Sequence, residues 1–245
     1  MSEEANLIDE IIQFIEKERV IYGDFTIPDF SHRTNKFNQT ETRQMSEKLQ
    51  ERPQLTLEKC KSLEELKALC IETDELKTDL EDTKLVFGGG NPDADLILVG
   101  EAPGAEEDKT GRPFVGRAGK LLDKILEAAD FSRDEIYITN ILKHRPPKNR
   151  NPLPEERERS LPYLLRQIDL INPKIILSLG KVSAETLLNK KASLTSMRGT
   201  FHPFHEKYEL LATYHPAALL RNPNWKRPTW EDFKMLRKRY DEVTE

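Results

Sequence analysis

Four short apolar runs, spaced by segments of helical period, constrain the fold of this chain more than any other feature. The runs at 95–99, 135–140, 174–179 and 208–214 read as strands, and helical spacing holds over 117–129, 154–171 and 181–189. Strands separated by helices of this length do not pair as hairpins. They imply an α/β fold with a parallel sheet covered on both faces, whose strand order the sequence leaves open.

Upstream of the alternation, residues 5–20 place Leu7, Ile11, Ile12 and Ile15 on one face, which predicts an amphipathic N-terminal helix. Residues 24–55 lose periodicity and fill with Asn, Thr, Gln, Ser and Arg, which predicts a long flexible connection. A second helix is expected over 56–72, where Leu63, Leu66 and Leu69 recur. The division is therefore an N-terminal helical extension over 1–55 and an α/β domain over 56–245.

The net charge is −5, which by itself speaks against a nucleic-acid partner. Its distribution speaks the other way. The acidic excess sits in residues 1–90, and the rest carries basic clusters at Lys143, Arg145, Lys148 and Arg150, then at Arg221, Lys226, Arg227, Lys234, Arg237, Lys238 and Arg239. No apolar run is long enough to span a bilayer, and the opening Met1-Ser2-Glu3-Glu4-Ala5 lacks the features of a signal peptide, so a cytoplasmic protein is expected. Cys60 and Cys70 fall on one predicted helix, so no disulfide framework is implied, and two cysteines alone build no metal cluster.

In open parallel sheets, ligands bind beyond the carboxyl ends of the strands. The first predicted strand ends in a long loop from Val99 to Gly119 that holds Glu101, Glu107 and Phe114. The second ends at Thr139-Asn140, followed by Lys143-His144-Arg145-Pro146-Pro147; the third ends at Ser178-Leu179-Gly180-Lys181; the fourth ends at Tyr214-His215 and runs on to Leu219, Leu220 and Arg221. One amide, one imidazole, one phenyl ring and several carboxylates thus converge on one sheet edge. They suit a flat, hydrogen-bonding, polarisable ligand such as a nucleobase better than a phosphate chain or a metal. A Walker lysine motif, a dinucleotide fingerprint and a nucleophilic serine elbow are all absent.

Gly100-Glu101-Ala102-Pro103-Gly104, Glu107-Asp108, Arg112-Pro113-Phe114-Val115-Gly116, Ile138-Thr139-Asn140, Arg145-Pro146-Pro147 and His215-Pro216-Ala217 resemble the motifs of family 4 uracil-DNA glycosylases, in order, from about Thr56 to the C-terminus. The resemblance implies a three-layer α/β/α sandwich with a small central parallel sheet, acting in base-excision repair on uracil-containing DNA, single- or double-stranded. It further implies that Phe114 stacks on the extruded uracil, that Asn140 reads its O4 and N3 edge, and that Gly100 and Ala102 belong to the same subsite. His215 would bond uracil O2 as the glycosidic bond breaks, Glu101 would orient the attacking water, and Glu107 would stand near the C5 edge. Leu219 is expected as the wedge filling the vacated stack, with Leu220 and Arg221 beside it, and Ser178, Lys181, Lys143, Arg145 and Arg221 as phosphate contacts.

The chain departs from the family at one point. Most members carry a 4Fe–4S cluster on four cysteines, and the corresponding positions here are Thr73, Leu76, His144 and Ser160. A monomeric protein without cofactor or metal is therefore expected, with the N-terminal extension free to cover that region or to bind a protein partner. Two other readings stay open: a glycosylase for another deaminated base, hypoxanthine or xanthine, and a non-catalytic binder of uracil-containing DNA. A binder alone would not need Glu101 and His215 together.

Overall fold

The computed structural model describes residues 56–244; the helix expected over 5–20 and the connection over 24–55 lie outside them. Strands β2 (Leu96–Gly100), β3 (Tyr137–Asn140), β4 (Ile175–Leu179) and β6 (Tyr208–Thr213) form where the apolar runs predict them. Two short strands, β1 (Gly89–Gly90) and β5 (Phe201–Phe204), extend them into one six-stranded sheet of order β1-β3-β2-β4-β6-β5. The four central strands are parallel and both outer pairings are antiparallel. β5 carries Pro203, which has no amide hydrogen for a ladder and is tolerated at a sheet edge.

Alternate residues of each central strand enter opposite cores. Leu96, Leu98, Ile175, Leu177 and Leu211 pack with Leu122 and Leu126 of α3 (Arg117–Ala128) and with Phe233 and Leu236 of α8 (Lys226–Thr244). Ile97, Val99, Ile176 and Leu210 pack on the other face against Leu164 and Ile168 of α4 (Pro154–Ile171) and Leu187 of α5 (Lys181–Leu188). The two-residue period of the strands thus produces three layers. Each fully buried Leu or Ile contributes roughly 1.5–3 kcal/mol, so these faces outweigh the surface ion pairs.

The helix expected over 56–72 is shorter than its apolar spacing suggested. α1 (Leu63–Glu72) begins at Ser62, whose hydroxyl caps the amide of Glu65, while the Glu65 carboxylate reaches back to the amide of Lys61. Its Leu66 and Cys70 bury against Leu76, Phe87 and Tyr163, fixing α1 to α4. From β2 the chain passes through the short α2 (Ala105–Thr110) and α3 to β3 on one side, then through α4 to β4 on the other, so the strand order reverses at β2; α5 and the short α6 (Leu194–Met197) lead on to β5. A reversal of this kind opens a crevice beyond the carboxyl end of β2.

Candidate active site

A cavity of about 570 Å³ opens in that crevice, lined among others by Ala102, Glu107, Phe114, Asn140, His215 and Leu220. Loop, strand end and helix start bring together residues far apart in sequence, as the strand-end pattern predicts. Its volume has room for a nucleotide rather than a bare base.

Phe114 is held in place from both sides. Its backbone is left-handed, with φ of 52°, a conformation that costs energy for a non-glycine residue. Arg133 donates to the Phe114 carbonyl at 2.8 Å, and Glu107 accepts from the Val115 and Gly116 amides at 2.9 and 2.8 Å and from the Gly104 amide at 3.1 Å. Glu107 therefore lines the cavity with both carboxylate oxygens already engaged, and its visible task is to clamp the turn that presents the phenyl ring. Gly100 lets that ring approach: a methyl group there would strike the Phe114 ring and Asn140 Oδ1.

Asn140 is buried at the end of β3, and its Oδ1 has no hydrogen-bond partner among the described residues. Buried amide oxygens are as a rule hydrogen-bonded, and one at a cavity wall is an acceptor for a donor that enters the cavity. His215 caps α7 (Pro216–Arg221), its Nδ1 accepting from the Ala217 amide at 3.1 Å. An acceptor Nδ1 places the proton of the neutral ring on Nε2. Burial, helped by the Arg221 charge, pushes the His215 pKa down to about 4, so the ring stays neutral near pH 7. Its centroid lies 5.5 Å from that of Phe114.

Glu101 follows β2 directly and is half-buried beside the cavity rather than among its lining residues. Burial raises its pKa, against the pull of Arg157 and Arg221. A carboxylate desolvated in this way is a better proton acceptor than one in water. Arg133, Arg157, Asn149 and Arg117 were not singled out from the sequence, although the last two line the cavity. Arg117 was nevertheless readable, since it opens the helix directly after the Phe114 turn.

Several expected DNA contacts are relocated. Lys143 is fully buried, with Nζ donating to Thr139 Oγ1 at 2.7 Å, Gln167 Oε1 at 2.8 Å and the Asn140 carbonyl at 3.1 Å. It cannot reach a phosphate; it secures the end of β3 beneath Asn140, and burial pushes its pKa down to about 7. Ser178 is likewise fully buried, so it too is withdrawn as a phosphate contact. Leu219 is 1% exposed, whereas Leu220 is 43% exposed and lines the cavity. One residue along a helix turns a side chain by about 100°, so Leu220, not Leu219, faces the cavity, and Leu219 is too buried to enter DNA. Arg221 and Lys181 stay exposed, and Arg145 is half-buried, donating to Asn149 Oδ1 at 2.7 Å.

Lys143→Met is therefore expected to lower stability by about 1–3 kcal/mol for each oxygen left without a donor, read as a lower urea midpoint. The salt dependence of DNA binding is expected to stay unchanged in that variant, whereas Arg221→Ala flattens the slope of log K against log salt by about one.

The family model for the uracil DNA glycosylase superfamily matches residues 87–234. A type-4 uracil-DNA glycosylase of Sulfurisphaera tokodaii is 45% identical over 184 residues, 72% of this chain and 84% of the relative. Another, of Thermotoga maritima, is 46% identical over 58% of this chain and 75% of the relative. The chain belongs to the type-4 uracil-DNA glycosylases. A type-5 uracil-DNA glycosylase of Thermus thermophilus is more distant, at 31% identity over 60% of this chain and 75% of the relative.

The four positions where a type-4 uracil-DNA glycosylase is expected to carry cluster cysteines are engaged otherwise. Thr73 donates to the Leu69 carbonyl at 2.7 Å, Ser160 donates to the Ile141 carbonyl at 2.6 Å, His144 Nδ1 lies 3.0 Å from Thr83 Oγ1, and Leu76 is buried among apolar groups. The two cysteines are unpaired and buried, and burial pushes the Cys70 thiol up to about 11, away from the thiolate a metal requires. Among the described residues no group of three or more His, Cys, Asp or Glu is placed to hold a metal ion. The side chains present do not fit a 4Fe–4S cluster.

Proposed function

We propose that this protein hydrolyses the N-glycosidic bond of a uracil flipped out of DNA, opening base-excision repair, and that it does so as a cytoplasmic monomer without an iron–sulfur cluster. The observation that carries the reading is one cavity shared by the Phe114 ring, the unpartnered Asn140 amide oxygen and the neutral His215 ring. A base slides against Phe114, its N3–H donates to Asn140 Oδ1, and the Asn140 amide NH₂ donates to O4. His215 Nε2–H then faces O2, where negative charge gathers as the bond to the sugar breaks. Glu101 holds the water that attacks the sugar carbon from the other face, takes its proton, and stabilises the positive charge on the ring. Glu107 and Arg133 act one step back, keeping Phe114 in register.

Extruding the nucleotide costs a few kcal/mol, which Leu220 offsets by filling the vacated space. Arg221, Lys181 and Arg145 hold the flanking phosphates without reading sequence. A preference for uracil that persists while affinity falls with salt follows from this division of labour.

Because burial raises the Glu101 pKa, the carboxylate is lost to protonation at a higher pH than an exposed glutamate would be. The expected rate profile falls on its acid side as Glu101 takes a proton, while His215 is still neutral down to about pH 4. Glu101→Gln is expected to lower the plateau and remove this acid limb, measured as single-turnover rate against pH. The reading as a whole is tested with oligonucleotides containing uracil, hypoxanthine, or thymine opposite guanine, followed by alkali at the abasic site. Uracil release from single and double strands is expected; release of hypoxanthine in preference to uracil would assign the pocket to another base.

A further inference from the structure

Next to the cavity mouth stands an aromatic pair that the mechanism leaves unused. Tyr214, which immediately precedes His215, lies face to face with Trp225, with ring centroids 4.9 Å apart and planes inclined by 8°. Trp225 closes a 3₁₀ turn, Pro223–Trp225, that follows directly on α7, whose Leu220 and Arg221 line the cavity. The pair is rooted in the fold. The Arg198 guanidinium lies 5.6 Å from the Tyr214 centroid and is tied to buried Asp232 at 2.9 and 2.7 Å, and Asp232 accepts from Thr213 at the end of β6.

Trp225 is nonetheless 37% exposed. Around it, Arg221, Lys226 and Arg227 are exposed, and none of them is paired with a carboxylate among the described residues. This patch is basic in a chain whose net charge is −5, so its charge is local and available. A rigid indole with an open surface, flanked by unpaired cations and continuous with the mouth of a nucleotide-sized cavity, matches a base with its phosphates: the ring offers a π-face and the cations neutralise the backbone. A protein partner would gain little from such a small apolar area inside a ring of like charges.

We infer that Trp225, backed by Tyr214, is a stacking subsite for an unpaired base flanking the flipped uracil, with Arg221, Lys226 and Arg227 on the adjoining phosphates. The inference rests on the glycosylase reading of the neighbouring cavity and adds a preference to it. In a duplex the flanking bases are already stacked and paired, so the subsite acts chiefly on single strands. It binds ground state and transition state alike, and its signature is in KM rather than kcat.

The test compares Trp225→Ala and Trp225→Phe with the parent chain on one uracil-containing oligonucleotide, single-stranded and in duplex. Trp225→Ala is expected to raise the single-strand KM by about 5- to 100-fold with kcat unchanged and the duplex KM within about twofold, and Trp225→Phe to recover most of the loss. In parallel, tryptophan emission is followed while a uracil-free single strand is added. Quenching is expected in the parent and in Trp230→Phe, and is expected to vanish in Trp225→Phe. An unchanged single-strand KM in Trp225→Ala, an equal rise on duplex, or quenching that follows Trp230 would overturn the inference. Absence of uracil release by the parent chain would instead strike the glycosylase reading, while the emission arm still reads the subsite.

Discussion

Replacing His215 by alanine is expected to lower kcat for uracil release by about two to three powers of ten, the usual loss when one preorganised donor to a developing anion is removed. The donor is prepared in advance. Nδ1 is occupied by the Ala217 amide, so the ring cannot turn without losing a hydrogen bond, and burial keeps it neutral down to about pH 4. Gly180, with φ of 96°, packs so closely that a methyl group there would lie 2.9 Å from His215 Cβ. Since charge reaches uracil O2 only as the bond breaks, KM is expected to change far less than kcat. Single-turnover rates measure the first, and titration with an oligonucleotide that carries a non-hydrolysable uracil nucleotide measures the second.

Asn140→Ala is expected to act on recognition as well as on rate. Without the amide, uracil N3–H and O4 are buried against a methyl group; each unmade hydrogen bond costs about 1–3 kcal/mol, which together amounts to roughly two to four powers of ten in kcat/KM. The same substitution is expected to erase discrimination against cytosine, whose edge presents an acceptor at N3 and a donor at N4, the reverse of uracil, so that acceptor would face acceptor and donor face donor across the Asn140 amide. Competition between uracil- and cytosine-containing strands reads this directly. A variant that lost rate but still rejected cytosine would show that another group reads the base.

The central strands, the three layers and the meeting of Phe114, Asn140 and His215 at one edge were legible because they depend on local periodicity and on the geometry of parallel sheets. Strand order was not, since it depends on which faces of α3 and α4 pack across the sheet. β1 escaped notice because two glycines carry no apolar signal, and β5 because Pro203 interrupts its run. Lys143 was misjudged for a physical reason: a lysine is read as solvent-facing, and only the fold brings Thr139, Gln167 and the Asn140 carbonyl close enough to satisfy its ammonium group in the interior. Leu219 and Leu220 show a related limit. In a six-residue helix the apolar stripe is too short to set the phase, and the packing of Leu219 beside Leu121, Ile125 and Trp230 decides which leucine faces the ligand.

Arg133, and the clamping contacts of Glu107, which the sequence places only near the C5 edge of the base, were differently hidden. Both act on backbone atoms of residues 114–116, and a side chain that serves a turn leaves no pattern in the sequence. Their roles became visible only with the left-handed conformation of Phe114.

In the proposed reaction this pocket excises uracil with hydrogen bonds and packing in the places of the cluster cysteines. That reaction is tested most directly by measuring uracil release and iron content on the same anaerobically purified preparation, with no metal added. Release from a uracil-containing single strand is expected, slowed by about two to three powers of ten in His215→Ala, by protein whose iron is far below one atom per chain. Stoichiometric iron that activity requires, or no release of uracil at all, would contradict it.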